Sequence, residues 1–594
     1  MSHVPQFAVG IDLGTTNCVV AYTQLGVEEP QVHLLPIPQL VAANTVEERT
    51  SLPSFLYLQT QQEGPFELPW GPALQGIVGE YARQQSAAVP DRTVGAAKSW
   101  LCHHRVDRHQ PILPYGAPDD VPKVSPVEAS QRYLEHLVAA WQHSHPEAPL
   151  RDQRVVVTVP ASFDASAREL TREAAVAAGL PENFLLLEEP QAAVYAWLAE
   201  MGDRWRKTVA VGQTLLVVDV GGGTSDLTLI TVAEEEGELQ LKRSAVGNHL
   251  LVGGDNMDLA LAHHVAGLFA EKGVQLDPWQ SVSLWHSCRH AKEVLLSEDS
   301  PKSHKISILG RGRKVVGNTV SVELDREQAR TLLLEGFFPK CELADHPMRQ
   351  RRSGFQELGL SYESDPAITR HIAQFLGQHG AAEQEPARPT DLLVNGGVFK
   401  SASLSERLLD VLHQWFPDAP AQPLEGKRDL DHAVARGAAY YAWTKEHGGV
   451  RIRGGTARSY YVGIETAGLA IPGAPRPMRA LCVVPRGMEE GTEVEVPSGD
   501  IGLIVGETVP FRFFSSSIRR EDQPGTLVAS WTDEELTETD PLEATLSADE
   551  GDAGYDIPVR FHSRITELGM FELWCVSTRS DQRWKLEFSV REEE

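Results

Sequence analysis

From residue 1 to about 445 the chain alternates short apolar runs with longer stretches of helical spacing. Phe7–Leu13, Val155–Val159, Leu215–Val220 and Leu392–Val394 have strand length, and each leads into turn-rich sequence. ASARELTREAAVAAG, DNMDLALAHHVAGLFAEKG, SERLLDVLHQWF and DHAVARGAAYYAW place apolar residues at the three-to-four spacing of a buried helix face. Strands alternating with helices predict an α/β architecture with functional loops at the strand ends. The Ala-rich last helix, which contains Gly437, suits close packing.

The period then changes. HGGVRIRGGTARS, around 446–458, is Gly-rich and basic and predicts a linker, with Val450, Arg451, Ile452 and Arg453 as its centre. From 459 to 594, runs such as YYVGIETAG, MRALCVVP, VPFRFFSSS and FELWCVSTRS alternate with period two between turns, which predicts an all-β sandwich. Within 341–390, Ile368, Ile372, Phe375 and Leu376 outline one helix face ahead of an exposed polar loop, AAEQEPARPT. The stretch 533–552 has neither Lys nor Arg and predicts a solvated acidic loop. Three parts result: an α/β unit over 1–445, a linker over 446–458 and a β module over 459–594.

Composition narrows the partners. The 594 residues carry a formal charge of -28, which argues against nonspecific binding to nucleic acid or anionic lipid, since both need clustered Lys and Arg. The six cysteines lack CxxC spacing and read as reduced thiols. The opening MSHVPQFAVGIDLGTTN lacks the basic and apolar regions of a secretory leader, and no stretch reaches the roughly 20 apolar residues of a membrane span. A cytoplasmic protein with no membrane and no nucleic-acid partner is the expectation.

Three Gly-rich loops, each directly after an apolar run, carry the candidate chemistry: VGIDLGTTNCVVAY, LLVVDVGGGTSDLTLI and LLVNGGVFKSASLSERL. One such loop is more often a plain turn, but three in order are a phosphate signature. Gly10 and Gly14 permit a tight hairpin whose backbone N–H groups, with the hydroxyls of Thr15 and Thr16, face phosphate oxygens. Asp12 faces the same point. In the second loop Asp219 and Asp226 flank Gly221, Gly222, Gly223 and Thr224, so the two hairpins form a clamp. Carboxylates beside a triphosphate require a cation, and Mg²⁺ bridges the two through its waters. Gly396 and Gly397 of the third loop let the backbone approach a nucleoside.

These motifs resemble the seventy-kilodalton heat-shock chaperones of the DnaK type. The likeness runs from residue 7 to about 443 through IDLGTTN, TVPASF, EEP, DVGGGTSD, LVGGDNMD, the NGGVFK loop and the DHAVARGAA helix. It implies an actin-like fold of two lobes with ribonuclease-H-like subdomains, followed by a substrate-binding β-sandwich. It also implies an ATPase that binds ATP or ADP with Mg²⁺. By resemblance, Asp12 and Asp219 hold the metal through water, Thr15 and Thr224 contact phosphate, and Lys98 positions the attacking water. Glu189 and Asp226 lie near that water. Lys292, Lys400 and Asp431 belong to the nucleotide site, and Pro160 with Arg168 matches the proline switch that reports nucleotide state to the second domain. Chaperones of this kind take unfolded or specific client proteins and work with a J-domain cochaperone and a nucleotide exchange factor.

Several positions depart from the family pattern. Arg289 stands where the family has a glutamate for the ribose, Leu296 replaces a serine, Val398 a small polar residue and Lys400 an arginine over adenine. Gln191 replaces a threonine and Asn256 an aspartate, while the linker lacks the family's aliphatic–acidic run. In the β module Ile464, Val509, Phe511 and Phe513 are candidates to line a peptide groove. No lid-like helical sequence follows the module, which predicts fast, weak peptide binding. A second function class fits the altered nucleoside positions: a nucleotide-binding regulatory protein with little turnover. A third is a small-molecule kinase of the same superfamily.

Overall fold

The computed structural model describes residues 4–586 apart from 61, 65, 74–75, 104–105, 236–237, 249, 309–318, 349–362, 381–384, 427–428, 449, 451, 454, 457, 467–476, 490, 500, 520, 534, 540–541, 546–555 and 567–570. Arg451, residues 381–384 of the polar loop and 546–552 of the acidic stretch therefore lie outside the described residues.

Two sheets share one plan. In the first, Phe7–Leu13 runs antiparallel to Asn17–Gln24 and parallel to Arg154–Val159, which in turn pairs with Leu185–Glu188. In the second, Thr214–Val220 runs antiparallel to Ser225–Glu235 and parallel to Asp391–Asn395. Glu238–Val246 continues the second sheet. This correspondence between sheets leaves no fixed period in the sequence, because the intervening segments differ in length and composition.

Between the sheets lies a core of Val156, Leu187, Tyr195, Val217, Ile230, Leu393 and Tyr441, contributed largely by the helices Glu189–Met201 and Ala433–His447. These helices approach closely. A Cβ on Gly437 would lie 1.7 Å from the Ala192 carbonyl oxygen, and one on Gly10 would lie 2.3 Å from both the Ala435 carbonyl oxygen and the Ala439 nitrogen. Only glycine fits at either crossing. Each sheet has a further apolar core on its outer face.

The linker is partly structured. Helix Ala433–His447 runs into its first residues, and Ile452–Arg453 adds a parallel strand to the edge of Glu238–Val246, with Leu241 opposite Ile452. The Ile452 amide donates to the Tyr195 hydroxyl at 2.9 Å. Backbone pairing and one buried Ile side chain thus dock a linker that lacks an aliphatic run.

Residues beyond 459 form two five-stranded sheets, one centred on Met478–Val484 and Ser459–Glu465, the other on Asp556–Ile565 and Phe571–Ser577. Val483, Val505, Val559, Leu573 and Cys575 fill the space between. Part of the acidic stretch is strand rather than loop: Thr537–Glu538 pairs with Phe513–Ser516, and Leu542–Thr545 with Thr508–Phe511. Alternating Thr and Leu among the acids supplies the β pattern that its charge obscures. The 341–390 segment contains the expected helix, Ile368–Gln378, with Ile368, Ile372, Phe375 and Leu376 buried. All six cysteines are free thiols, and all but Cys102 are buried. Among the described residues no helix is long and apolar enough to cross a membrane.

Candidate functional site

Each central strand carries, one residue before its end, a carboxylate whose neighbour on the parallel strand donates to it. Asp12 is opposite Thr158, whose hydroxyl donates to Asp12 Oδ1 at 3.2 Å; Asp219 is opposite Asn395, whose amide donates to Asp219 Oδ2 at 2.9 Å. The loops that follow are held by their surroundings. Ser54 donates its hydroxyl to the Gly14 carbonyl at 2.7 Å and its amide to the Thr16 carbonyl at 2.9 Å. In the second loop the Gly221 and Gly222 carbonyls accept from the amides of Gly254 and Asp255 at 3.0 and 2.7 Å, where helix Gly254–Glu271 begins. Those first amides have no partner within their own helix.

The two hairpins face each other. A Cβ on Gly222 would lie 2.0 Å from Thr16 Oγ1, and one on Gly223 would lie 3.0 Å from both Thr15 Cγ2 and Ser99 Oγ. Thr224 is buried behind them.

Lys98, on the short helix Ala97–Leu101, is buried and paired with Glu189. Asp226 accepts from Ser162 twice, from the hydroxyl at 2.6 Å and the amide at 3.3 Å. Lys98, Glu189, Asp226, Asp12 and Asp219 are near enough to perturb one another's protonation. Burial, then Glu189, pushes the Asp12 carboxyl up to about 7 against the pull of Lys98 and Thr158. Burial, then Glu189, pushes Asp219 up to about 8. Asp226 and Glu189 are likewise raised by burial. For Lys98, burial works downward, but Glu189 and Asp12 outweigh it and raise the ammonium.

Four carboxylates, Asp219 and Asp226 buried and Asp12 and Glu189 half-buried, thus gather around one lysine, an arrangement that a hard divalent cation would relieve. The donor set is all oxygen, and the buried Oδ1 of Asn395 has no hydrogen-bond partner among the described residues. The residues fit Mg²⁺.

The residues that the resemblance assigns to the nucleoside are more crowded with charge. Arg289 pairs with Asp255 at 2.5 Å and Asp258 at 2.8 Å and lies over the Trp285 ring. Lys292 pairs with Asp258 at 2.6 Å and donates to the Gly254 carbonyl at 2.9 Å. Gly396 has φ of 88°, and a Cβ there would strike the Val220 carbonyl oxygen at 2.2 Å; nothing crowds Gly397. Lys400 and Asp431 pair with each other at 2.6 Å on the surface, apart from the buried cluster. Arg168 donates to the Phe163 carbonyl at 3.1 Å, just after Pro160, and to Glu188 at 2.9 Å.

Phe513 is not available to a peptide: it is 1% exposed inside the β-module core. Val509 and Phe511 lie on the Thr508–Phe511 strand and do not line the groove in the β module. Ile464 does line that groove, a cavity of about 680 Å³ bounded also by Arg479, Leu481, Ile501 and Leu527. The sequence reading missed Ser54, Thr158, Ser162 and Asn395. Ser162 sits inside TVPASF and Asn395 directly precedes Gly396, so both were in view as loop residues, but nothing local names the carboxylate each one meets.

A two-sheet α/β unit with facing Gly-rich hairpins, joined to a β module, is the class of protein that these features define. The profile described as Hsp70 protein matches residues 8–344, more than half of the chain, and the chain belongs to that family of chaperone ATPases. It is a divergent member. It is similar to the chaperone protein HscA homolog of Acinetobacter baumannii, with 28% identity over 338 residues, covering 54% of this chain and 48% of the relative. The chaperone protein HscA of Photorhabdus laumondii is 31% identical over 272 residues, covering 44% and 38%. The chaperone protein DnaK of Stenotrophomonas maltophilia is 25% identical over 430 residues, covering 68% and 61%. The matches thus span from over a third to under two thirds of these curated relatives.

Proposed function

We propose that the protein binds Mg-ATP between its two hairpins and hydrolyses it slowly, using the nucleotide state to control its hold on an extended client polypeptide. In this reading residues 1–445 are an actin-like ATPase unit, 446–458 the linker and 459–594 the client-binding module. Family membership supports the activity. The observation that carries it is the group of Asp12, Asp219, Asp226, Glu189 and Lys98 at the two glycine hairpins, with Asp219, Asp226 and Lys98 buried.

Asp12 and Asp219 would hold Mg²⁺ through water, and the ion, when bound, supplies positive charge against the triphosphate. The amides of the Gly14–Thr16 and Gly221–Thr224 turns, with Thr15, Thr16 and Thr224, hold phosphate oxygens. Lys98 supplies positive charge where it develops in transfer to water, and Glu189 fixes its ammonium. Asp226, fixed by Ser162, orients the water and accepts its hydrogen bond. Lys292 and the Gly396–Gly397 loop receive the nucleoside. In the β module the groove lined by Ile464, Leu481, Ile501 and Leu527 suits an apolar side chain of an extended peptide. A J-domain cochaperone and an exchange factor are the partners that the family implies.

The test is single-turnover hydrolysis of bound ATP with Mg²⁺. Lys98→Ala should lose on the order of 10²-fold or more, as removal of one charge-stabilising donor does. Equal rates would refute the enzyme reading. One observation favours the second reading, a nucleotide-binding regulator with little turnover: Arg289, tied to Asp255 and Asp258, puts a compensated cation where the nucleoside would lie. That reading predicts measurable ATP affinity with no Lys98-dependent turnover.

A further inference from the structure

The second hairpin, the helices Gly254–Glu271 and Pro278–Leu295 and the third glycine loop meet at one point. A Cβ on Gly254 would lie 3.3 Å from Lys292 Nζ, 3.5 Å from Val398 Cγ2 and 3.6 Å from the Gly221 carbonyl oxygen. Whatever a triphosphate held between the hairpins carries at its far end is therefore met by Lys292, by Arg289 one turn earlier on the same helix and by the loop Gly397–Lys400.

These groups already satisfy one another. Arg289 spans Asp255 and Asp258, at 2.5 and 2.8 Å, and Lys292 takes the other oxygen of Asp258 at 2.6 Å. Two cations thus match two carboxylates, and the side chains of Arg289, Asp255, Lys292 and Asp258 are only 13%, 17%, 14% and 1% exposed. The guanidinium lies over the Trp285 ring, whose indole N–H donates to the Asp255 carbonyl at 3.4 Å. The Asp255 amide donates to the Gly222 carbonyl at 2.7 Å, which ties the network to the hairpin itself. Leu296 and Val398 pack against the core and bring neither donor nor acceptor in their side chains, and Lys400 is paired with Asp431.

A site selects a nucleoside by keeping buried polar groups that stay unpaired until the right hydroxyl or ring nitrogen arrives, so that an analogue lacking it is rejected. Here the polar groups are paired before any ligand binds. A ribose hydroxyl has to break an ion pair to gain its hydrogen bond, and its absence costs nothing. The phosphate end is the reverse: Asp12 and Asp219, held up by burial and by Glu189, stay unbalanced until a cation arrives. We propose that the site recognises magnesium-bound triphosphate without regard to base or sugar hydroxyls, and that Arg289, by occupying Asp255 and Asp258, is the residue that removes nucleoside selectivity. Its substrate class is nucleoside triphosphates at large, of which ATP is one.

The inference rests on reading the two hairpins as a triphosphate site, and its test separates the two. Calorimetry with Mg²⁺ measures the affinity of the full chain for ATP, GTP, CTP and 2′,3′-dideoxy-ATP, in the native form and in Arg289→Ala and Arg289→Lys. The native chain should bind all four within about fivefold of one another, since no side chain rewards one of them. In Arg289→Ala the Asp255 carboxylate is released to accept a ribose hydroxyl, so dideoxy-ATP should fall behind the other three by about tenfold, the worth of one hydrogen bond to a charged group. Arg289→Lys cannot span both carboxylates and should shift the ratio the same way by less, so it reports even if the alanine variant misfolds. A native preference for ATP beyond fivefold, or an unaltered dideoxy ratio in both variants, overturns the proposal and leaves the ATPase reading intact. Binding of all four without turnover refutes hydrolysis and upholds the inference, which is read from affinity alone. A native chain that binds none of them overturns both.

Discussion

Thr16 and Gly222, on different hairpins, face each other so closely that a methyl group on the glycine would fall 2.0 Å from the threonine hydroxyl. Gly222→Ala therefore turns the Thr16 hydroxyl away or parts the hairpins, and either displaces a donor aimed between them. The expected outcome is a loss of about tenfold or more in single-turnover ATP hydrolysis, with the native circular dichroism retained. Native rates in the alanine variant would mean that closure of the hairpins is not required.

The two central carboxylates predict an unusual dependence on pH. Asp12 and Asp219, raised from 3.8 to about 7 and about 8, bind protons more tightly folded than unfolded. Between roughly pH 4 and 8 the folded chain holds the extra protons, so this contribution is full at the acid end and is lost as pH rises through the folded values. Mg²⁺ needs the ionised carboxylates, so its effect runs the other way. Melting temperature measured with and without Mg²⁺ should show a larger metal-induced rise at pH 8.5 than at pH 6. The opposite order removes these two acids from the metal site.

Gly437→Ala should destabilise the α/β unit. Its new methyl would lie 1.7 Å from the backbone oxygen of Ala192, and a helix backbone cannot yield as a flexible side chain does. Overpacking of this kind costs about 1–3 kcal/mol or more, readable as a lower urea midpoint. An unchanged midpoint would show that the helices separate without cost.

In the β module two substitutions should divide stability from binding. Phe513→Ala removes a fully buried ring and should cost about 3–5 kcal/mol. Leu527→Asp, at a groove position 53% exposed, should leave the melting temperature nearly unchanged and weaken binding of an apolar extended peptide several-fold, as fluorescence anisotropy would report. Equal peptide affinity in Leu527→Asp and the native chain would place the client elsewhere.

The strands bearing Asp12 and Asp219 were legible because each is a short apolar run ending in glycines, and a tight hairpin writes its whole signature within a dozen residues. The groups that complete the site were not. Thr158 meets Asp12 across 146 positions, Ser162 meets Asp226 across 64, and Asn395 meets Asp219 across 176. Such pairings exist only after the sheets assemble. Phe511 and Phe513 illustrate a different limit: period two puts them on one face of an extended run, but a break between two short strands leaves one partly exposed and sends the other into the core.

Cys18 is in the second strand of the first hairpin, opposite Leu13, its sulfur 3.2 Å from the Ser54 hydroxyl, and burial pushes its thiol up to about 12. Cys288, Cys482 and Cys575 are raised to about 12 by the same cause. Since alkylating reagents attack the thiolate, these sulfurs stay silent in the native chain and react only when their surroundings part. The molecule therefore carries its own clocks for opening: the modification rate at Cys18 times excursions beneath the phosphate loop, while Cys575 times those of the β module.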